Sequence, residues 1–114
     1  MGRREWLTAV RDQAHAIAGR GSFGLFGTSI AATWLCGELD AAVRFFVDED
    51  PHRIGQTHLG RPVYSPEQVP PGSAVYLALT PEVAAAVQQH AGIADGPSVY
   101  HAPPPLPQWA GAGG

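Results

Sequence analysis

The sequence predicts an α/β domain built on a parallel sheet of about four main strands, with helices on both faces and a small hairpin inserted beside it. Three observations carry this. Stretches with apolar residues at helical spacing alternate with short stretches apolar at nearly every position, and strands covered on both faces are the ones that lose in–out alternation. The chain has 114 residues, 45% hydrophobic and 15% charged, enough for one core and too short for two full domains. The 14 glycines and 11 prolines are spread unevenly, eight of them lying from Pro97 onward.

The elements follow in order. Trp6, Leu7, Val10, Ala14 and Ile17 share one helical stripe, with Arg11, Asp12 and Gln13 off it, so a helix is expected over 3–18, stopped by Gly19 and Gly21. Residues 22–26 are a short apolar run, the first strand. Gly27-Thr28-Ser29 turns the chain into a second helix from Ile30 to Leu39, capped by Thr28 or Ser29. A second strand covers 43–47 and ends in Asp48-Glu49-Asp50-Pro51.

Residues 56–59 and 62–64 flank Gly60-Arg61 and suggest the hairpin, and Ser65-Pro66-Glu67 starts a short helical turn. The third main strand is 73–79. Thr80 reads as an N-cap before Pro81, with a helix to about His90. Residues 98–101 make the last strand. Right-handed crossovers then arrange the strands in the Rossmann manner as a three-layer domain over residues 1–102. Residues 103–114, rich in proline and glycine, read as a tail or linker. Pro104 and Pro107 form a P-x-x-P pair of the kind an SH3 groove holds, but so generic a pattern reads first as a solvated linker.

Charge narrows the partners. Seven arginines against ten acids give a net charge of −3, which argues against duplex DNA or an anionic membrane. There is no lysine, so every fixed positive side chain is an arginine, suited to forked contacts with carboxylate or phosphate. The single cysteine, Cys36, excludes an intrachain disulfide framework and a thiolate zinc site, and its place beside Leu35 reads as a buried, inert thiol. His52 and His58 lack metal-ligand spacing, so no metal is expected. With no membrane-length apolar run and no signal pattern, a cytoplasmic protein is the default reading.

Chemistry is expected at the first strand-to-helix turn. Gly27, Thr28, Ser29 and Ile30 offer backbone N–H groups where a helix begins, a place that favours anions. From Gly27 the chain reads Gly-Thr-Ser-Ile-Ala-Ala, so Ser29 and Ala32 replace the second and third glycines of the dinucleotide fingerprint. Ala32 still allows close helix–strand packing. Ser29 adds a Cβ where a pyrophosphate would approach, and a plain tight turn is the competing reading. Asp48 follows Gly27 by 21 positions and closes the second strand, where an acid takes ribose hydroxyls. It equally suits a cap for the turn before Pro51. A third reading takes Gly27-Thr28-Ser29-Ile30-Ala31 as a nucleophile elbow, with Asp95 and His101 following in hydrolase order. Against it stands the lack of preceding strands to build an oxyanion hole.

The block Val47-Asp48-Glu49-Asp50-Pro51-His52-Arg53-Ile54-Gly55, followed by Gly60-Arg61-Pro62-Val63 and Pro66-Glu67, resembles the C-terminal domain of sugar C-methyltransferases. It is also similar to the N-terminal sugar-nucleotide domain of sugar acyltransferases. Phe26-Gly27 match the aromatic-Gly pair of the methyltransferase turn, while Ala31 and Ala32 stand where that domain has lysine and glycine. The resemblance covers about residues 4–100. It implies an accessory Rossmann-like domain that helps hold a nucleotide or nucleotide sugar through Gly27, Thr28, Ser29, Ile30 and Asp48, with Arg53 a phosphate partner. It implies no catalysis by this chain alone, and a catalytic methyltransferase domain as partner. The alternatives are a structural or oligomerisation module with a vestigial cleft, and a small serine hydrolase using Ser29.

Overall fold

The computed structural model describes residues 3–27, 30–94 and 96–104. The first helix, α1, spans Arg3–Ala18 and is followed by β1 (Phe23–Phe26), α2 (Ile30–Leu39) and β2 (Phe45–Val47). A two-stranded hairpin, β3 (Thr57–His58) and β4 (Arg61–Tyr64), leads to β5 (Ala74–Leu77). Helices α3 (Pro81–Gln88) and α4 (Ala91–Ala94) precede the last strand, β6 (Val99–His101). The strands form one six-stranded sheet in the order β3-β4-β2-β1-β5-β6, parallel throughout except for the β3–β4 pair. None of the described helices is long and apolar enough to cross a membrane.

Apolar runs become strands here because both sheet faces are covered. In β1 all four residues are buried, as are all three of β2. Their side chains still alternate between two cores. Phe23, Leu25, Phe46, Val63 and Tyr76 pack under α1 and α2. Phe26, Phe45, Val47, Val75, Leu77 and Tyr100 pack with Ala84 and Val87 of α3 and Ile93 of α4. The expected stripe of α1 is present in Val10, Ala14 and Ile17, all buried, with Trp6 packed at its edge. Leu7 is the exception at 37% exposure: it lies on the flank of the stripe, beyond the sheet.

The hairpin is where the structure departs most from the expectation. Its turn is Leu59-Gly60, both with positive φ (50° and 79°), as a two-residue turn that follows the strand twist requires. Arg61 belongs to the strand, and the register places His58 opposite Arg61 and Thr57 opposite Pro62. The second arm is no appendage either. Phe46 pairs with Val63 and Val47 with Tyr64, so β4 is a fifth parallel strand of the sheet. Val63, 3% exposed, completes the core under α2, and its burial adds to the backbone pairing that holds the arm in the sheet.

At the other helix start, Thr80 stands at the N-cap of α3 and Pro81 at its first position, but the Thr80 side chain makes no cap hydrogen bond. Pro81 supplies the start instead, with φ already set and no N–H to satisfy. The short turn Pro66–Gln68 is closed by the Gln68 side chain, which accepts from the Ser65 N–H at 2.9 Å. The chain after β6 packs on through Pro103, which is buried, and Pro104, whose carbonyl accepts from Trp6 Nε1 at 2.9 Å. Residues 105–114 lie outside the described residues.

Candidate functional site

Successive parallel strands lie on one side of β1 (β2, then β4) and then on the other (β5, then β6), so the order reverses between β1 and β5. The crevice beyond the carboxyl ends of the strands at such a reversal is where ligands of open parallel sheets bind. Gly27 leaves β1 at this reversal, and Asp48 leaves β2, the neighbour of β1 on the side away from β5. Phe26 is paired with Val47, and the Gly27 N–H donates to the Val47 carbonyl at 2.7 Å. Gly27 has φ of 91°, a conformation that L side chains rarely adopt, which is why glycine occupies the point where β1 stops. The two candidates 21 positions apart are thus placed side by side. Thr28 and Ser29 lie outside the described residues.

The carboxylate of Asp48 is already engaged. Its Oδ1 accepts from the amides of Glu49 at 2.7 Å and Asp50 at 3.0 Å, an Asx turn that ends β2. Asp50 repeats the device one turn later, its Oδ1 accepting from His52 N–H at 2.9 Å. Arg53 lies 3.9 Å from Asp48 Oδ2 and 3.7 Å from Asp50 Oδ2, and its side chain is 54% exposed against 17% for Asp48. So the turn-cap role read for Asp48 is realised, and its second oxygen points toward a cation rather than open water. Arg53 belongs to the same acidic turn; a ligand phosphate there would compete with two carboxylates.

Ile30 opens α2 and is 90% exposed. It stands at the rim of an apolar pocket of about 480 Å³ beside the β1–α2 turn, walled by Trp6 and Val10 of α1, Trp34 of α2, and Leu79 after β5. Ala31 also lines it. Ala32 is fully buried and lets α2 sit close to β1, the one role of the third fingerprint glycine that this chain keeps. Sequence reasoning found Trp6 as a core residue and did not single out Trp34, Leu79 or Pro103. The signal for Trp34 was its exposed-side spacing next to Ile30 on an otherwise apolar helix. None existed for Pro103, which reaches the pocket only by the path of the chain after β6.

The remaining candidates separate. Tyr76 is level with Leu25 on one side and His101 on the other, so His101 sits two strands from β1, roughly 10 Å at ordinary strand spacing. Burial, and then the charge of Arg20, push its pKa below the ordinary 6.5. Asp95 lies outside the described residues. His58 packs edge-on to Phe46 with ring centroids 4.7 Å apart and meets Thr33 Oγ1 at 3.2 Å, while His90 pairs with Glu49 at 3.0 Å. Among the described residues no group of three or more His, Cys, Asp or Glu is placed to hold a metal ion. Cys36 is buried, and burial raises its pKa, partly offset by Arg61 and helped by Asp40. A thiol held protonated inside a core is a poor nucleophile.

Comparison of the chain with family models, with curated proteins and with solved structures finds no match.

Proposed function

We propose that this chain is a Rossmann-like, three-layer binding domain that holds a nucleotide-linked sugar at the carboxyl edge of its sheet, acting as the accessory module of a sugar methyltransferase-like protein. The observation that carries the reading is the juxtaposition of Gly27, at the end of the strand where the order reverses, with Asp48 at the end of the adjacent parallel strand β2. Gly27 brings backbone close to the ligand without a Cβ in the way, and the N-terminus of α2 that follows favours a phosphate. Asp48 turns its outer oxygen to ribose hydroxyls, with Arg53 moving from carboxylate to phosphate as the ligand enters. No lysine is needed in this arrangement, because a helix start by itself favours an anion. The chain supplies binding and orientation; the reacting groups belong to a catalytic methyltransferase domain.

The test is a titration of the full chain with nucleoside diphosphate sugars, NAD and S-adenosylmethionine, followed by amide NMR. Shifts at Gly27 to Ile30 and Asp48 to Arg53 are expected with a nucleoside diphosphate sugar. Asp48→Asn keeps an oxygen for the Asx turn and removes the charge, and is expected to weaken binding about tenfold, the worth of one charge-assisted hydrogen bond. Silence at those amides with all three ligands sinks the reading.

A second reading is favoured by one observation: two amides and Arg53 already occupy the Asp48 carboxylate. On that reading the cleft is vestigial and the chain is a structural or oligomerisation module. It predicts self-association in light scattering, and a monomer at all concentrations counts against it.

A further inference from the structure

Among the described strands, β6 closes one side of the sheet and has β5 as its neighbour. The Val99 N–H donates to the Ser73 carbonyl at 3.0 Å, so the backbone groups of Val99 and His101 turn toward β5. Backbone groups alternate in direction along a strand, and those of Tyr100 and Ala102 therefore turn outward. The Val99 side chain beside them is 59% exposed. An open edge with an exposed apolar residue is a template for another strand. The opposite edge offers less: β3 is two residues long, and the Val63 N–H of β4 already donates to the Gln56 carbonyl at 3.0 Å.

We infer that Gln88 and Gln13 guard the β6 edge, holding off strand pairing by a second copy of this chain. Each helical layer lends one of them. From α3, Gln88 Nε2 donates to the Tyr100 carbonyl at 2.8 Å, and from α1, Gln13 Nε2 donates to the Ala102 carbonyl at 3.3 Å. Both carbonyls lie on the outward side, so an incoming strand meets acceptors that are already occupied. The sense of the Gln13 amide is fixed, because its Oε1 accepts from the Tyr76 hydroxyl at 2.9 Å and leaves the nitrogen for Ala102. Pro103 and Pro104 follow and have no N–H to offer a ladder. A second copy is the strand held off because the pairing is self-complementary. Two β6 strands running antiparallel about Tyr100 exchange its N–H and carbonyl with each other, and that carbonyl is the one Gln88 holds. Neither Gly27 nor Asp48 takes part, so failure of the nucleotide reading and failure of the guard are separate results.

Amide hydrogen exchange on the full chain, followed by NMR at several protein concentrations, reads the edge directly. In the wild type the Tyr100 amide is expected to exchange at one rate at every concentration. In Gln88→Ala it is expected to slow about tenfold as concentration rises, the worth of one new hydrogen bond, with a dimer appearing in sedimentation. Alanine is a good helix former in the last turn of α3, so the fold is kept. Gln88→Lys retains a donor with the reach for the carbonyl and is expected to behave as the wild type. Adding Gln13→Glu to Gln88→Ala keeps the acceptor for Tyr76, removes the donor to Ala102 and is expected to strengthen the dimer. Concentration-independent exchange at Tyr100 in both the single alanine and the double variant overturns the inference. So does slowing with concentration in the wild type, which means that the edge pairs with both glutamines in place, or in Gln88→Lys as much as in the alanine variant.

Discussion

Gly24 sits in the middle of β1, where a glycine is normally a weakness because it adds unfolded-state entropy and packs nothing. Here the missing side chain makes room. A Cβ on Gly24 would collide with the ring of Phe45, the residue level with it on β2. Phe45 is 2% exposed and tilted against Tyr64 at 5.4 Å, so its ring has nowhere cheap to go. Two effects of Gly24→Ala oppose each other: a propensity gain of about 0.5–1 kcal/mol and an overpacking cost of about 1–3 kcal/mol. The overpacking wins, and urea unfolding should show the variant less stable by roughly 1–2 kcal/mol. Equal or greater stability would mean that the ring moves aside freely. Asp48 illustrates the same scale differently. Its identity as an end-of-strand acid is legible in the sequence, but which of its two roles is realised depends on where the amides of Glu49 and Asp50 point.

At the scale of elements, Arg61 joins three of them. Its Nε donates to the Val43 carbonyl at 3.0 Å, Nη1 to Leu59 at 2.7 Å and Nη2 to Asp40 at 2.9 Å. Those carbonyls belong to the lead-in to β2, the β3–β4 turn and the one-turn 3₁₀ helix Asp40–Ala42. Asp40 and Leu59 both have positive φ, a strained state for residues with side chains, and the guanidinium holds both carbonyls in place. An ammonium cannot reproduce that planar fork. Arg61→Lys is expected to cost about 2 kcal/mol, the order of a lost charge-assisted hydrogen bond. Hydrogen exchange should speed up at the hairpin and at residues 40–43 and stay slow in β1 and β5. Uniform loosening of the whole sheet would assign Arg61 a different role. The hairpin was visible in the sequence as a flanked Gly-Arg pair, but its register was one residue off. Period-two alternation alone does not say whether Gly60 is the first or second residue of a turn, and the Arg61 contacts decide it.

For the whole molecule, α1 ties the first element to the last. Tyr76 donates its hydroxyl to Gln13 Oε1 at 2.9 Å, and Gln13 in turn reaches the carbonyl of Ala102 after β6. Burial pushes the Tyr76 pKa well up, so this hydroxyl remains a donor at any working pH. His101 lies beside that link with its pKa lowered by burial and by Arg20. A histidine whose folded pKa is depressed takes up its proton first in the unfolded chain. Both states are neutral above the ordinary value, so the loss begins as pH falls below about 6.5 and grows until the folded pKa is passed. Replacing it in His101→Gln should flatten the decline of stability between neutral and mildly acidic pH, measured by denaturation at each pH. An unchanged slope would show that His101 is solvated in the folded state.

The sequence by itself determined the order of α1 to α3 and of the strands β1, β2, β5 and β6, and the apolar character of β1, β2 and β5. It also placed Gly27 and Asp48 at strand ends, because periodicity, breakers and turn residues act over a few neighbours. Only the tertiary structure decided that β4 joins the sheet and that the chain leaving β6 returns to Trp6 at the mouth of an apolar pocket. Those outcomes rest on contacts between residues as many as 98 positions apart, such as Trp6 with Pro104. Such contacts join elements far apart in the chain, and no local pattern carries their register.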